Sequence, residues 1–286
     1  MAALVTGFLY ALVALGLNMI YGTMRLLNIA HGEIVMVGAY VAYWMFTLVH
    51  VGPLVSAFLA IALGAAIGVA AYFGVFRAVL RSSRLVARLE ANSLLIFFGV
   101  SVILQNVAAI AFTANQRGYR YLDTVLEFGS GSILASRLVV LVVGAAACIG
   151  LVIFMKRSVM GQAIRALIQN RDAAAIVGVD IDRVQALSFA IGFGAAALAG
   201  ALVSMLETIT PFMGFPFTIA GFIVIILGGL GNLMGGLIAA LLLGVIETYG
   251  VALTSSEFRS ILIYGVFILV LMWRPQGLFG TRSSAQ

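Results

Sequence analysis

Polar side chains are scarce in this 286-residue sequence, so the places where they gather are where chemistry is possible. One group is Asn18, Gly22, Arg25, Asn28, His31, Gly32 and Glu33, set between two apolar segments in GLNMIYGTMRLLNIAHGE. A second is Gly228, Gly229, Gly231 and Asn232 in LGGLGNLMGG. A third is the most charged stretch, Lys156 to Arg183, KRSVMGQAIRALIQNRDAAAIVGVDIDR. His31 and Glu33 offer metal ligands on paper, but no other ligand stands at useful spacing, so no metal is expected. They are expected to satisfy neighbouring backbone groups or to pair with Arg25. A proton-coupled carrier would need an acid in mid-span; Glu207 and Glu247 stand near span ends instead. A membrane enzyme would need clustered His, Asp or Glu, and the two histidines are far apart, so no catalytic residue is assigned. A phosphate loop needs G-x-x-x-x-G-K-[ST]. The only lysine, Lys156, follows Phe-Met with no glycine before it, so the chain is not expected to hydrolyse ATP or to carry a cofactor of its own.

The elements that must position these groups are read from composition. Apolar residues make up 63% and charged residues 9%, against about 25% charged in soluble domains. Several runs approach the roughly 20 apolar residues that cross a bilayer, and they lack the alternation of a transmembrane barrel. The chain reads as an all-α polytopic membrane protein, one transmembrane domain over 1–286. Spans are expected at 2–21, 33–50, 53–76, 92–112, 137–155, 184–206, 217–243 and 259–273, with 243–252 extending the seventh or adding a short one: eight or nine crossings. The net charge of +6 fits basic cytoplasmic loops rather than nucleic acid. Cys148 is the single cysteine, so no internal disulfide forms. The first run lacks a basic flank and reads as a retained span, not a signal peptide.

Basic residues place loop 77–91 (Arg77, Arg81, Arg84, Arg88), segment 156–183 (Lys156, Arg157, Arg165, Arg171, Arg183) and the tail (Arg274, Arg282) in the cytoplasm, and the mixed loop 113–136 outside. The four loop arginines form one stripe on a helix continuing the third span. Such a stripe either anchors at lipid headgroups or meets a cytoplasmic partner. Glycine permits the dihedrals that unwind a helix, and unwound backbone at membrane depth must be buried in protein or line a watery cavity. The stretches 16–33 and 227–236 therefore suggest an internal duplication with a path at its interface. The first could equally be an ordinary cytoplasmic turn, and the second a close helix packing.

Within 156–183, Ile164, Leu167 and Ile168 share one helical face, with Arg165 opposite. Asn170 suits an N-cap, Arg171 to Val177 spans about two turns with Asp172 in the first, and Gly178 suits the position just past a helix end. So short a helix is unstable alone and must be held by packing, either on a partner or on the membrane surface.

Asp172-Ala173-Ala174-Ala175-Ile176-Val177-Gly178 resembles the E-A-A-x-x-x-G signature of membrane subunits of bacterial ATP-binding-cassette importers, with Asp in place of Glu. MGQAIRALIQNRDAAAIVGVDIDRVQALSFAIG, YGTMRLLNIAHGEIVMVGAY and PFMGFPFTIAGFIVIILGGLGNLMGGLIAALLLGVIE resemble the high-affinity branched-chain amino-acid permease family over nearly the whole chain. The resemblance implies a multi-pass permease of the bacterial inner membrane. It implies a homologous second permease subunit or a second copy, two cytoplasmic ATPase subunits carrying ATP and Mg, and a periplasmic substrate-binding protein. It also implies that Asn170, Arg171, Asp172, Ala173, Ala174 and Gly178 form the coupling helix gripped by the ATPases, with Asp172 facing a basic group. Urea, short amides or aromatic acids are alternative substrates within such machines, and an ion-coupled carrier is a different class. Asn18, Gly22, Asn28, His31, Gly32, Glu33, Gly228, Gly229, Gly231 and Asn232 are the candidate path residues, amid membrane lipid.

Overall fold

A computed structural model describes residues 1–81, 89–128, 131–274 and 276–279. Arg84, Arg88 and Arg282 fall outside the described residues. The helices are α1 (Ala2–Met24), α2 (His31–Val49), α3 (Pro53–Ala71), α4 (Leu89–Phe112), α5 (Ala135–Arg157), α6 (Val159–Gln169), α7 (Arg171–Ile176), α8 (Ile181–Val203), α9 (Gly214–Gly228), α10 (Leu233–Leu253) and α11 (Arg259–Trp273). Helix α3 runs on through a π-helical turn, Tyr72–Phe76, and a last turn, Arg77–Arg81. The strands β1 (Val125–Phe128) and β2 (Gly131–Leu134) form an antiparallel hairpin before α5. Among the described residues seven helices are long and apolar enough to cross a membrane, and α9 and α11 are shorter apolar helices.

Helices α1 and α8 form the centre. Their apolar windows are 83% buried, against 17% in α4, which lies at the rim. The two cross where Gly16 and Gly192 press backbone on backbone; a Cβ on either would overlap the other. Lipid gives no hydrophobic force between helices, so small residues that permit close van der Waals approach decide such contacts. Helix α3 lies along α8, with Gly68 against the Phe189 backbone, as α10 lies along α1, with Gly244 against Ala3 and Gly7. Helices α2 and α9 meet at Gly32 and Gly214, again backbone on backbone. The contacts of α1–α3 are thus repeated by α8–α10, with α1 answering to α8, α2 to α9 and α3 to α10.

The first break is not a simple turn between adjacent helix ends. Arg25, left-handed at φ 58°, closes α1. Residues 26–30 then carry no helix, and Leu26, Asn28 and Ala30 are buried. His31 Nε2 lies 3.1 Å from the carbonyl of Val13, twelve residues or about 18 Å back along α1. Six extended residues reach about 20 Å, so the chain climbs back into the bundle and α2 begins in its middle. The counterpart of this climb is the connection 204–213 leading to Gly214. It is not the 227–236 stretch that the sequence pairs with it. The outer loop pins that connection: Arg117 and Ile209 exchange backbone hydrogen bonds of 2.9 and 2.7 Å, and the Arg117 guanidinium sits 5.0 Å over the Trp44 ring.

The expected seventh span, 217–243, is in fact two helices, because Gly229 (φ 88°) and Gly231 (φ 83°) turn the chain between α9 and α10. Residues 243–252 belong to α10. Gly22, at the end of α1, packs against Ile168 of the polar segment, so the amino terminus and that segment lie on opposite faces. Arg77, the first of the arginine stripe, is engaged within the bundle: its Nη2 is 3.0 Å from Asp182 Oδ2.

Gly16→Ala is expected to lower the thermal midpoint of the purified chain in detergent, because overpacking a close contact costs about 1–3 kcal/mol. Gly150→Ala, where an added Cβ meets nothing within 4 Å, is expected to hold or raise it. Equal shifts for the two variants in a melting scan would refute the backbone-contact account.

Candidate functional site

The polar segment builds a rigid projection. Ser158 caps α6, its Oγ accepting from Gly161 N at 2.9 Å, and Asn170 caps α7, its Oδ1 accepting from Ala173 N at 2.9 Å. At the far end Gly178, at φ 86°, lets its own N–H reach Ala175 O and the Val179 N–H reach Ala174 O, both at 3.0 Å. This paired closure satisfies carbonyls that a helix end otherwise leaves open. Asp180 then caps α8 by accepting from Arg183 N. Ala174 is 2% exposed and packs with Met155, Ile164, Leu167, Val184 and Met19 of α1. Arg171, Asp172 and Ala173 face outward. So do Ile176 and Val177, at 86% and 76% exposure. These two aliphatic side chains were not singled out in the sequence, where they read as filler between Ala175 and Gly178.

Ile168 connects the projection to the bundle, lying against both Gly22 and Gly231. Asn18 clasps the cytoplasmic break beside it. Its Nδ2 donates to Asn232 O at 3.0 Å, and its Oδ1 accepts from Gly231 N at 2.8 Å. Asn232 caps α10, accepting from Gly235 N at 3.0 Å, and its Nδ2 donates to Phe279 O in the tail. Gly228 presses on Gly235 and Gly236, so this stretch is both a break and a close helix packing. Gln185 Nε2 reaches Thr23 O at 3.4 Å, and the Tyr72 hydroxyl donates to Asp182 Oδ1 at 2.9 Å. The foot of α8 is thereby tied to α1 and to the π-helical turn of α3.

The other sequence candidates gather at the centre of the bundle. Thr218 Oγ1 donates to Ile29 O and accepts from Gly32 N, both at 2.9 Å, and Leu27 N donates to Ser93 Oγ at 3.1 Å. Three backbone groups of the climbing segment and of α2 are satisfied this way. Glu33 does not pair with Arg25. It lies in the first turn of α2, inside the bundle, and accepts from Ser101 Oγ (2.9 Å) and Gln105 Nε2 (2.7 Å) of α4, while Arg25 is exposed at the cytoplasmic end. The His31 ring packs edge-on against Phe193 at 5.7 Å. Asn28 Nδ2 and Oδ1, His31 Nδ1 and Glu33 Oε2 are buried with no hydrogen-bond partner among the described residues. Glu33 Oε2 lies beside Gly214, so the first turns of α2 and α9 meet at this spot. Ser101, Gln105 and Thr218 carry no local signal, because each acts across more than sixty residues of sequence. Glu247 is buried but engaged, accepting from the Tyr10 hydroxyl at 2.6 Å and paired with Arg259 Nε at 2.5 Å; Glu207 is exposed in the outer connection.

A helical membrane bundle whose half-helices meet in its centre, and whose one polar module is a capped projection, is the architecture of a transport permease. The chain belongs to the family described as branched-chain amino acid transport system / permease component, whose model matches residues 1–271. It is 33% identical to the high-affinity branched-chain amino acid transport system permease protein LivH of Salmonella typhimurium, over 96% of this chain and 92% of that protein. It is 32% identical to the corresponding protein BraD of Pseudomonas aeruginosa, over 97% and 93%. A more distant relative, the permease protein LivM of Escherichia coli, is 26% identical over 94% of this chain and 67% of its own length. No solved structure matches. The chain is accordingly a multi-pass inner-membrane permease.

Asn170→Ala and Gly178→Ala are each expected to loosen α7, by about 1 kcal/mol for the lost cap and about 1–2 kcal/mol for a side chain in the left-handed region. Amide exchange over 171–179 should rise roughly fivefold or more, with α8 unaffected. Unchanged exchange would show that packing at Ala174 alone holds the projection.

Proposed function

We propose that the chain forms, with a homologous second permease subunit, the path of an ATP-driven importer for branched-chain amino acids. Two cytoplasmic ATPase subunits grip Asn170–Gly178, and a substrate-binding protein delivers the amino acid at the opposite face. The observation that carries this reading is the chain of contact from α7 through Ile168 to Gly22 and Gly231. A displacement of the projection is delivered directly to the inner end of α1 and to the break between α9 and α10. Alternating access then follows if nucleotide binding on the ATPases favours one arrangement of this junction, since a ligand shifts an equilibrium only by its differential affinity for the two states.

The path runs past Asn28, His31 and Glu33. Each polar atom buried without a partner costs about 1–3 kcal/mol, a cost that a passing ammonium and carboxylate would offset. The α2 and α9 N-termini favour the carboxylate end, as half-helix N-termini do in transporters built from inverted repeats. Ile176 and Val177 supply the apolar part of the ATPase contact, and Asp172 the charged part.

Two measurements on the assembled transporter in proteoliposomes test this. Asp172→Asn together with Gly178→Ala is expected to abolish ATPase co-purification, or to leave ATP hydrolysis without uptake; normal uptake with undiminished coupling would sink the gripping role. Asn28→Leu, close in size, is expected to leave thermal stability equal or raised while uptake falls about tenfold or more. Wild-type uptake by this variant would remove Asn28 from the path.

A further inference from the structure

Beside the projection, α1, α5, α6 and the 229–232 break enclose a cavity of about 610 Å³ on the cytoplasmic side. Its walls towards the bundle are apolar, with Leu15, Leu151 and Val152 among them, and its rim carries Arg25, Lys156 and Arg165. Among the described residues no carboxylate lines it. Among the described residues none of the three cations has an acidic partner; Arg165 makes one long contact, Nη2 to the Lys156 carbonyl at 3.5 Å. The backbone at Gly231–Leu233, where α10 begins, lines the same space, adding the positive end of a 21-residue helix.

Charge and apolarity together define the ligand. A small soluble anion would answer the three cations and leave the aliphatic walls bare. A neutral lipid would cover the walls and leave the cations unpaired. The level is also right: Arg25 and Lys156 stand at the cytoplasmic ends of α1 and α5, with Arg165 on α6, and the walls extend inward along α1 and α5. Basic pockets between membrane helices on the cytoplasmic side take anionic headgroups. We propose that this cavity binds an anionic phospholipid of the inner leaflet, its phosphate among Arg25, Lys156 and Arg165 and an acyl chain against Leu15, Leu151 and Val152. Arg165, Ile168 and Gln169 of α6 and Gly231 and Asn232 of the break all line the cavity. The lipid therefore bridges the coupling segment and the inner end of the bundle, and its presence sets how firmly the two move together.

The test uses the full-length chain in nanodiscs containing photoactivatable phosphatidylglycerol or, in a parallel arm, photoactivatable phosphatidylcholine. Phosphatidylglycerol is expected to label peptides holding Leu151–Met155 or Leu230–Met234 at least tenfold more strongly. Lys156→Gln should weaken labelling about fivefold, the factor given by about 1 kcal/mol per basic side chain at an anionic surface. Its neighbour Arg157→Gln, the same change of charge outside the cavity lining, should leave it within error. Equal labelling by the two lipids on the unaltered chain overturns the proposal without reference to any variant. So does competition by excess inorganic phosphate, which assigns the rim to a free anion. Loss of labelling when the second permease subunit is present also overturns it, making the cavity a subunit interface.

Discussion

Backbone that leaves a helix inside a hydrocarbon layer must find its hydrogen bonds within the protein, and the organisation of this permease follows from that constraint. The climb from Arg25 to His31 leaves peptide groups without helical partners inside the bundle. Thr218 serves Ile29 and Gly32, Ser93 serves Leu27, and the Val13 carbonyl meets the His31 ring. Each partner belongs to another helix, so α2 and the climb before it are satisfied only when α1, α4 and α9 are in place. The glycine pairs are the steric side of the same requirement. Only with Gly16 on Gly192 and Gly32 on Gly214 do the central elements come close enough for a threonine hydroxyl to reach across.

The outward half and the cytoplasmic end are secured by different chemistry. Aromatic packing around Tyr40, Phe112 and Trp44 and the Arg117 clamp hold the outer side. The cytoplasmic junction is held by a few directional contacts: the two bonds of the Asn18 amide, the caps at Asn232 and Asp180, and the Tyr72–Asp182–Arg77 set. Net hydrogen bonds of this kind contribute about 0.5–1.5 kcal/mol each. A junction made of a few such bonds can be rearranged by a partner of ordinary affinity. A core made of interlocked glycine contacts resists the same push.

Much of this was legible in the sequence where the signal is local. Asn170 and Gly178 announce the ends of α7 because capping chemistry is decided within a few residues, and the apolar runs locate most of the membrane helices. The repeat was legible as an idea and misplaced in register. The glycine-rich 227–236 stretch draws the eye, but the matching climb is 204–213, whose only marks are Pro211 and the glycine that follows at 214. For Glu33 the sequence offers only near neighbours, backbone groups or Arg25; its partners Ser101 and Gln105 lie on α4, which only the folded bundle brings alongside. Ile168 was read as one of three residues on an apolar face. Its role as the contact between α6 and two glycines depends on which helices end beside it.

The exchange of backbone bonds between Arg117 and Ile209 changes how the outer surface should be engineered. A loop such as 113–124, exposed and outside the helices, is where an epitope tag or reporter is customarily inserted, since surface connections tolerate added length. Here that loop supplies the strand partner of the connection feeding α9. Added residues on either side of Arg117 would alter the angle at which Gly214 is presented to Gly32, near the centre of the bundle.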